Sequence, residues 1–459
     1  MTKRLRTIFF AVFLTLAPVT AFAATGFDGV KEYTLDNGLK VLLLEEHKAP
    51  VAVFQIWYKV GSMYEAYDKA GISHMLEHMM FKGTKKYGPK TFSRLVQKYG
   101  GSDNAFTSQD YTAYFQTFNS DRIYLSLDLE SDRMRNLLLD DKEFQSERMV
   151  VTEERRTRTD NNPEAALGET TQAAAFQVHP YHWPIIGWMT TIKSWEISDL
   201  KNHYNTFYQP NNATIVIVGD FDSEKMLGEI KKSFGSIPKG PEPPKVKVAE
   251  PEQKGERRVM VKKEAQLPSV VAVYHTPNQD SPDTYALDVL ETVLSGGESS
   301  RLYRSLVYEK QIAQYAGAGY SGVSKDPDTF ELAAGVMPGK TVEEVEKALY
   351  AEVEKIKDAP VSDHELQKAK NQIESSFIMG LDSDFNRAMM LGRYESVGSW
   401  KFLLGYLDGI RKVTAADLKR VAGKYLTADN RTVGILVPLP ITTPKEEMPA
   451  PHAPGAGIR

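Results

Sequence analysis

The stretch Leu200–Val218, LKNHYNTFYQPNNATIVIV, runs from a helix-like segment through an Asn-containing turn into a β-branched strand, Ala213 to Val218. It returns 218 residues later as Leu418–Leu436, LKRVAGKYLTADNRTVGIL. Leu200, Asn212, Thr214, Ile215 and Ile217 recur as Leu418, Asn430, Thr432, Val433 and Ile435. Agreement in position, turn and strand type predicts an internal duplication and two related domains. Length agrees, because 459 residues exceed the roughly 250–300 at which a single core stops growing.

Between the copies, Gly235–Arg258 (GSIPKGPEPPKVKVAEPEQKGERR) is rich in Pro, Lys and Glu without apolar periodicity. It reads as an exposed linker that allows hinge motion between the halves. Each half mixes alternating strands, such as TLDNGLKVLLLEE and VAVFQIWYKVG, with long helical patterns such as Asp121–Asn136. The expected class is α+β, each domain a mostly antiparallel sheet packed with helices. The expected boundaries are 24–234 and 259–437, with a disordered Pro-rich tail over 438–459.

At the N-terminus, Lys3, Arg4 and Arg6 precede an apolar run, Ile8 to Val19, that ends in Ala21-Phe22-Ala23. This pattern reads as a secretory signal peptide, residues 1–23, cleaved after Ala23. The run is too short for the roughly 20 residues that span a bilayer, so no membrane insertion is expected after cleavage, and in a Gram-negative bacterium the destination is the periplasm. Losing three cations makes the formal charge of −4 more negative still, which argues against nucleic-acid binding. With no cysteine, an exported chain has neither disulfides nor thiolate ligands, so any metal must be held by His and carboxylates.

Such a set is present. In GISHMLEHMMFKGT, Gly71–Thr84, His74 and His78 are four apart and share a helical face, with Glu77 bordering the same spot. Imidazole suits Zn²⁺, and a nearby carboxylate that is not a ligand can act as a base toward water. In FQSERMVVTEERRTR, Glu147 and Glu154 lie seven apart on one face of a second helix. Glu154 can complete a site of two histidines and one glutamate, with Glu147 behind it to orient a ligand. The order HxxEH is that of the inverzincins.

With HMLEHMMFKGT, GGSDNAFTSQDYTAYF at Gly100, ERMVVTEE at Glu147, HPYHWPIIGW at His179 and SGGESSRLYRSLVYEK at Ser295, nearly the whole mature chain resembles the M16 metallopeptidases. The resemblance is to the short-chain branch of the pitrilysin, insulin-degrading enzyme and mitochondrial processing peptidase group. It implies a LuxS/MPP-like fold forming half of a clamshell. It implies one zinc per chain on His74, His78 and Glu154, Glu77 as general base and Glu147 as supporting acid. The family's spacing selects Glu154 over Glu153. Asn104, Ala105, Phe106 and Thr107 match the strand on which members pair the backbone of an extended, unstructured peptide.

The resemblance breaks at one place. Self-sufficient members carry an Arg and a Tyr in the second domain, in a pattern like LRxxxxLxY. Aligning Leu306 and Ile312 puts Val307 and Gln314 there; a one-residue shift recovers Tyr315 but puts Tyr308 in the Arg position. The expectation is therefore a zinc-bearing subunit of a heterodimer with a homologous chain that supplies the pair. A self-sufficient homodimer and a non-catalytic assembly subunit are the competing readings. His179 and His182 read as packing or substrate lining, lacking an evident carboxylate partner; Gly296-Gly297 reads as a turn, and Met75, Met79 and Met80 as core.

Overall fold

The computed structural model describes residues 26–441, so the expected signal peptide and the tail beyond 441 lie outside the described residues. The first half holds strands β1 (Lys31–Thr34), β2 (Lys40–Glu45), β3 (Val51–Tyr58), β4 (Ser102–Thr107), β5 (Thr112–Asn119) and β6 (Ala213–Gly219). Its helices are α1 (Ile72–Met79), α2 (Thr91–Lys98), α3 (Tyr124–Asn136), α4 (Asp141–Arg155), α5 (Pro163–Ala175), α6 (Met189–Ser194), α7 (Ile197–Phe207) and α8 (Ser223–Phe234). The second half holds β7 (Arg257–Glu264), β8 (Ser269–Thr276), β9 (Ala313–Tyr320), β10 (Asp328–Val336) and β11 (Arg431–Leu439). Its helices are α9 (Thr284–Ser295), α10 (Val342–Asp358), α11 (Asp363–Gly380), α12 (Asp384–Val397), α13 (Tyr406–Lys412) and α14 (Ala415–Tyr425).

The sheets run β1-β2-β6-β3-β5-β4 and β7-β11-β8-β10-β9. Every neighbouring pair is antiparallel except β2 with β6 and β7 with β11. The α+β class with two like halves is what the structure has. The repeated stretch is alike down to its hydrogen bonds. Asn212 Nδ2 donates to the Phe207 carbonyl at 2.9 Å, and Asn430 Nδ2 to the Tyr425 carbonyl at 2.8 Å. Each amide thus satisfies a carbonyl left open at the end of its helix, α7 or α14. Capping boxes start both helices, Glu196 with Asp199 and Thr414 with Asp417.

Because both faces of its sheet are covered, strand β3 is apolar but for Gln55, whose side-chain oxygen accepts from the Trp57 ring N–H at 2.9 Å. Phe54, Ile56 and Tyr58 face the core under α1 and α7, while Val53 and Trp57 face α12. Helix α12 comes from the second half, and α5 from the first half covers the outer face of the second sheet against β7, β8 and β11. Glycine permits the closest approach in each exchange. A Cβ on Gly392 of α12 would lie 2.1 Å from the Trp57 ring, and one on Gly434 of β11 would lie 1.9 Å from Thr171 Oγ1 of α5.

These exchanged helices tie the halves by packing. The linker itself is stapled down: Glu250 accepts from the backbone N–H of Gln177, Val178 and His179 at 2.7, 2.9 and 3.0 Å. Two boundaries also move. Strand β7 begins at Arg257, inside the expected linker, and β11 continues to Leu439, inside the expected tail, because the two strands pair in parallel out to Leu439 and Glu264. The helix expected from Asp121 begins at Tyr124.

Candidate metal centre

The start of α1 is built tightly. Gly71 adopts φ +93°, and a Cβ there would sit 2.4 Å from the Ile186 carbonyl oxygen. The Glu65 carboxylate accepts from the N–H of Gly71 and Ser73 at 2.6 and 2.7 Å, satisfying two open donors of the helix. Burial pushes this carboxyl up to about 8 against the pull of those bonds. The Ser73 hydroxyl lies 3.0 Å from Nε2 of His203, a ring that burial holds down at about 3 and hence neutral. The turn bearing His74 is fixed from three sides.

Helices α1 and α4 pack together and bring His74, His78 and Glu154 to one place, with a ligand atom of each within 4.8 Å of the others. Glu154 Oε1 lies 3.7 Å from His74 Nε2, and its Oε2 lies 3.3 Å from His78 Nε2. Glu153, one residue away, points outward and pairs with Arg156. Glu147 Oε1 is 2.8 Å from His78 Nδ1, and its other oxygen pairs with Lys82. Glu77 Oε2 accepts from the Thr107 hydroxyl at 2.6 Å.

The two converging histidines are poised in opposite directions. Burial alone would lower His78, but the hydrogen bonds to Glu147 and Glu154 outweigh it and hold the ring up at about 9. Burial and the neighbouring His78 drive His74 the other way, down to about 4. Hydrogen bonding to His78 lowers Glu154, whereas burial raises Glu77. Two imidazoles and a carboxylate, with carboxylates that attract a cation, fit Zn²⁺. Glu77 is held by Thr107 instead of converging on the same point, as suits a base that is not a ligand.

The centre opens into a cleft of about 930 Å³, among the described residues lined wholly by the first half. Strand β4 is the edge of its sheet and borders this cleft. Its side chains alternate: Thr107 faces Glu77, while Phe106 turns its ring edge-on to Trp57 at 5.4 Å across the sheet. Asn104 uses its side-chain oxygen on the Ala105 N–H at 2.9 Å. Val307 and Tyr308 lie on the π-helical turn Tyr303–Glu309, and Tyr315 lies on β9 with its hydroxyl 3.3 Å from Glu164. None of the three lines the cleft.

Sequence reasoning missed two cleft residues, Lys82 and Arg158, and the bond from Thr107 to the base. Lys82 lies four residues beyond His78 in the bend after α1. Arg158 Nη1 lies 2.9 Å from Glu154 Oε1, also four residues along. His179, expected to lack a carboxylate partner, has one in Asp326 at 3.1 Å, brought from the other half. His182 Nδ1 bonds the His179 carbonyl at 2.9 Å.

Fold and site define a duplicated α+β chain in which one half assembles a metal-binding donor set. Residues 40–187 match the family described as Insulinase (Peptidase family M16), and residues 194–373 match the Peptidase M16 inactive domain. The chain is 36% identical to the zinc protease PqqE of Helicobacter pylori over 88% of its own length and 92% of that protein. It is 27% identical to a probable mitochondrial-processing peptidase subunit beta of Arabidopsis thaliana, covering 88% of this chain and 78% of that one. The crystal structure of a protease from Helicobacter pylori superposes with a TM-score of 0.86 at 36% identity, covering 89% of this chain and 99% of that one. The periplasmic protease PqqL from Escherichia coli has the same fold, with a TM-score of 0.74 at 19% identity; this chain, 89% covered, spans 48% of it. The chain belongs to peptidase family M16.

Proposed function

We propose that the chain is a zinc-dependent endopeptidase acting on unfolded peptides. The observation that carries this reading is the convergence of His74, His78 and Glu154 beside a half-buried carboxylate, Glu77, that is free of the ligand set. In this reading the first half, 24–234, is the zinc-binding domain, and the second, 259–437, is its metal-free homologue. When bound, zinc supplies Lewis-acid polarisation of the scissile carbonyl and acidifies water. Glu77 accepts the proton of the attacking water and delivers it to the leaving amine, with Thr107 fixing one of its oxygens so that the other faces the cleft. Glu147 orients His78, and the open edge of β4, Asn104 to Thr107, pairs with the substrate backbone.

In this reading the protein works in the periplasm, exported by its signal peptide. It takes an Arg/Tyr pair from a homologous partner chain, since Val307, Tyr308 and Tyr315 all lie off the cleft. One observation favours a second reading, a self-sufficient homodimer: Arg158 already brings a guanidinium into the cleft. The test is cleavage of an unstructured peptide by the zinc-loaded chain, alone and mixed with a related chain carrying the pair. Activity only in the mixture supports the heterodimer, and full activity alone supports the homodimer. A zinc-loaded chain inactive in both conditions sinks the peptidase reading and leaves an assembly subunit.

A further inference from the structure

The two histidines that face Glu154 are not held alike. Nδ1 of His74 is buried and has no hydrogen-bond partner. His78 Nδ1 lies 2.8 Å from Glu147 Oε1, and Glu147 Oε2 is paired with the Lys82 ammonium. Lys82 stands four residues beyond His78, just past the end of α1, near the negative end of that helix. Its side chain is 27% exposed, so it is packed along the helix with one side open to the cleft.

A carboxylate with only a histidine for company can turn either oxygen to the ring or rotate away. A carboxylate held at one oxygen by an ammonium keeps its other oxygen aimed at a fixed point. That point is Nδ1 of His78, which as donor to Glu147 must carry its proton there. Nε2, facing Glu154 at 3.3 Å, is then the nitrogen left free for a metal.

We propose that Lys82 is a positioning residue of the metal centre, acting through Glu147 to fix the tautomer and orientation of His78, and that His78 is thereby the anchored ligand of the pair. The proposal rests on the zinc reading above and deepens it. The Lys82 ammonium pairs with Glu147 and is not one of the three converging ligand groups. Its effect is on how tightly zinc is held, before any turnover. His74, with no such partner, depends on the packing of α1 for its orientation.

The experiment measures zinc affinity by competition with a chromophoric chelator for the full chain, Lys82→Met and Lys82→Arg, alongside melting of each metal-free protein. Methionine keeps the stem of the lysine and removes the charge, so the fold is retained. The proposal expects Lys82→Met to bind zinc about tenfold more weakly, within the range found for outer partners of metal ligands. It expects Lys82→Arg to recover to within about threefold of the parent, because a guanidinium can also hold a carboxylate. It further expects nitrogen-15 spectra of the zinc-loaded proteins to show a protected Nδ1–H on His78 in the parent that exchanges faster with solvent in Lys82→Met. Parent-like affinity in Lys82→Met, or equal loss in both variants, overturns the proposal while leaving the zinc reading intact. A parent chain that takes up no zinc overturns both.

Discussion

Helices α1 and α9 lie in corresponding places, each packed between its own edge strand, β4 or β9, and its own repeat helix, α7 or α14. Only α1 carries histidine; α9 reads TYALDVLETVLS. The partner helices compare in the same way. Counted from their N-caps, Asp140 and Ser362, the inward face Phe144, Glu147, Val151, Arg155 of α4 becomes Leu366, Ala369, Ile373, Phe377 on α11. Ala369 therefore stands where Glu147 does, and Ser376 where Glu154 does. The second half nonetheless keeps a cavity of about 710 Å³ lined by Thr292 and Ser376. The frame and its hollow persist without donors, so they owe their stability to apolar packing, and the candidate metal ligands are a few side chains placed over it.

The strongest way to break this contrast is Glu77→Gln. Turnover of an unstructured peptide should fall by about 10²–10⁴ with zinc content unchanged, since glutamine keeps the bond to Thr107 but cannot take a proton. Loss of zinc along with activity would mean that Glu77 belongs to the ligand set.

The exchanged helices come next. Gly392→Ala should cost about 3 kcal/mol in denaturant unfolding and Gly434→Ala about 1 kcal/mol. Both collide, but the first meets the rigid, fully buried Trp57 ring and the second chiefly the Thr171 hydroxyl, with Leu167 Cδ1 and Thr171 Cβ at 3.1 Å. Equal costs would show that the two exchanges are equally tight.

A third test uses the acids of α9. Burial pushes the Asp288 carboxyl up to about 7, opposed by the Tyr406 hydroxyl that donates to it at 3.0 Å. Raised above its unfolded value, this group contributes stability that is present below about pH 4 and lost as pH rises through about 7. Asp288→Asn should therefore narrow the difference in melting temperature between pH 5 and pH 8, by an amount worth about 1–3 kcal/mol. An unchanged difference would mean that Asp288 is ionised in the fold.

The smallest effects should come from the repeated amides. Asn212→Ala and Asn430→Ala each leave helix-end carbonyls without a donor and should each cost about 1 kcal/mol by denaturant titration. A large inequality would show that one copy of the turn has drifted into a different role.

Much of the frame was legible because its signals are local. The paired stretches Leu200–Val218 and Leu418–Leu436 carry helix, turn and strand in one contiguous run, and the amides that cap them act within five residues. The His74, Glu77, His78 cluster was legible for the same reason, since one helical turn is enough to gather it. The strand ends at Arg257 and Leu439 were misread because β7 and β11 extend each other through pairing between distant segments. The Asp326 partner of His179 was invisible because it comes from the other half of the chain.

The sequence by itself determined the duplication, the α+β class and two clusters of metal-ligand type, because periodicity and caps express short-range sterics and hydrogen bonding. Only the tertiary structure decided that α4 presents Glu154 and turns Glu153 outward, that Lys82 stands behind Glu147, and that each half covers the other's sheet. Those outcomes depend on which faces of distant elements meet. Burial of apolar surface across the whole chain selects those faces, and no local pattern encodes it.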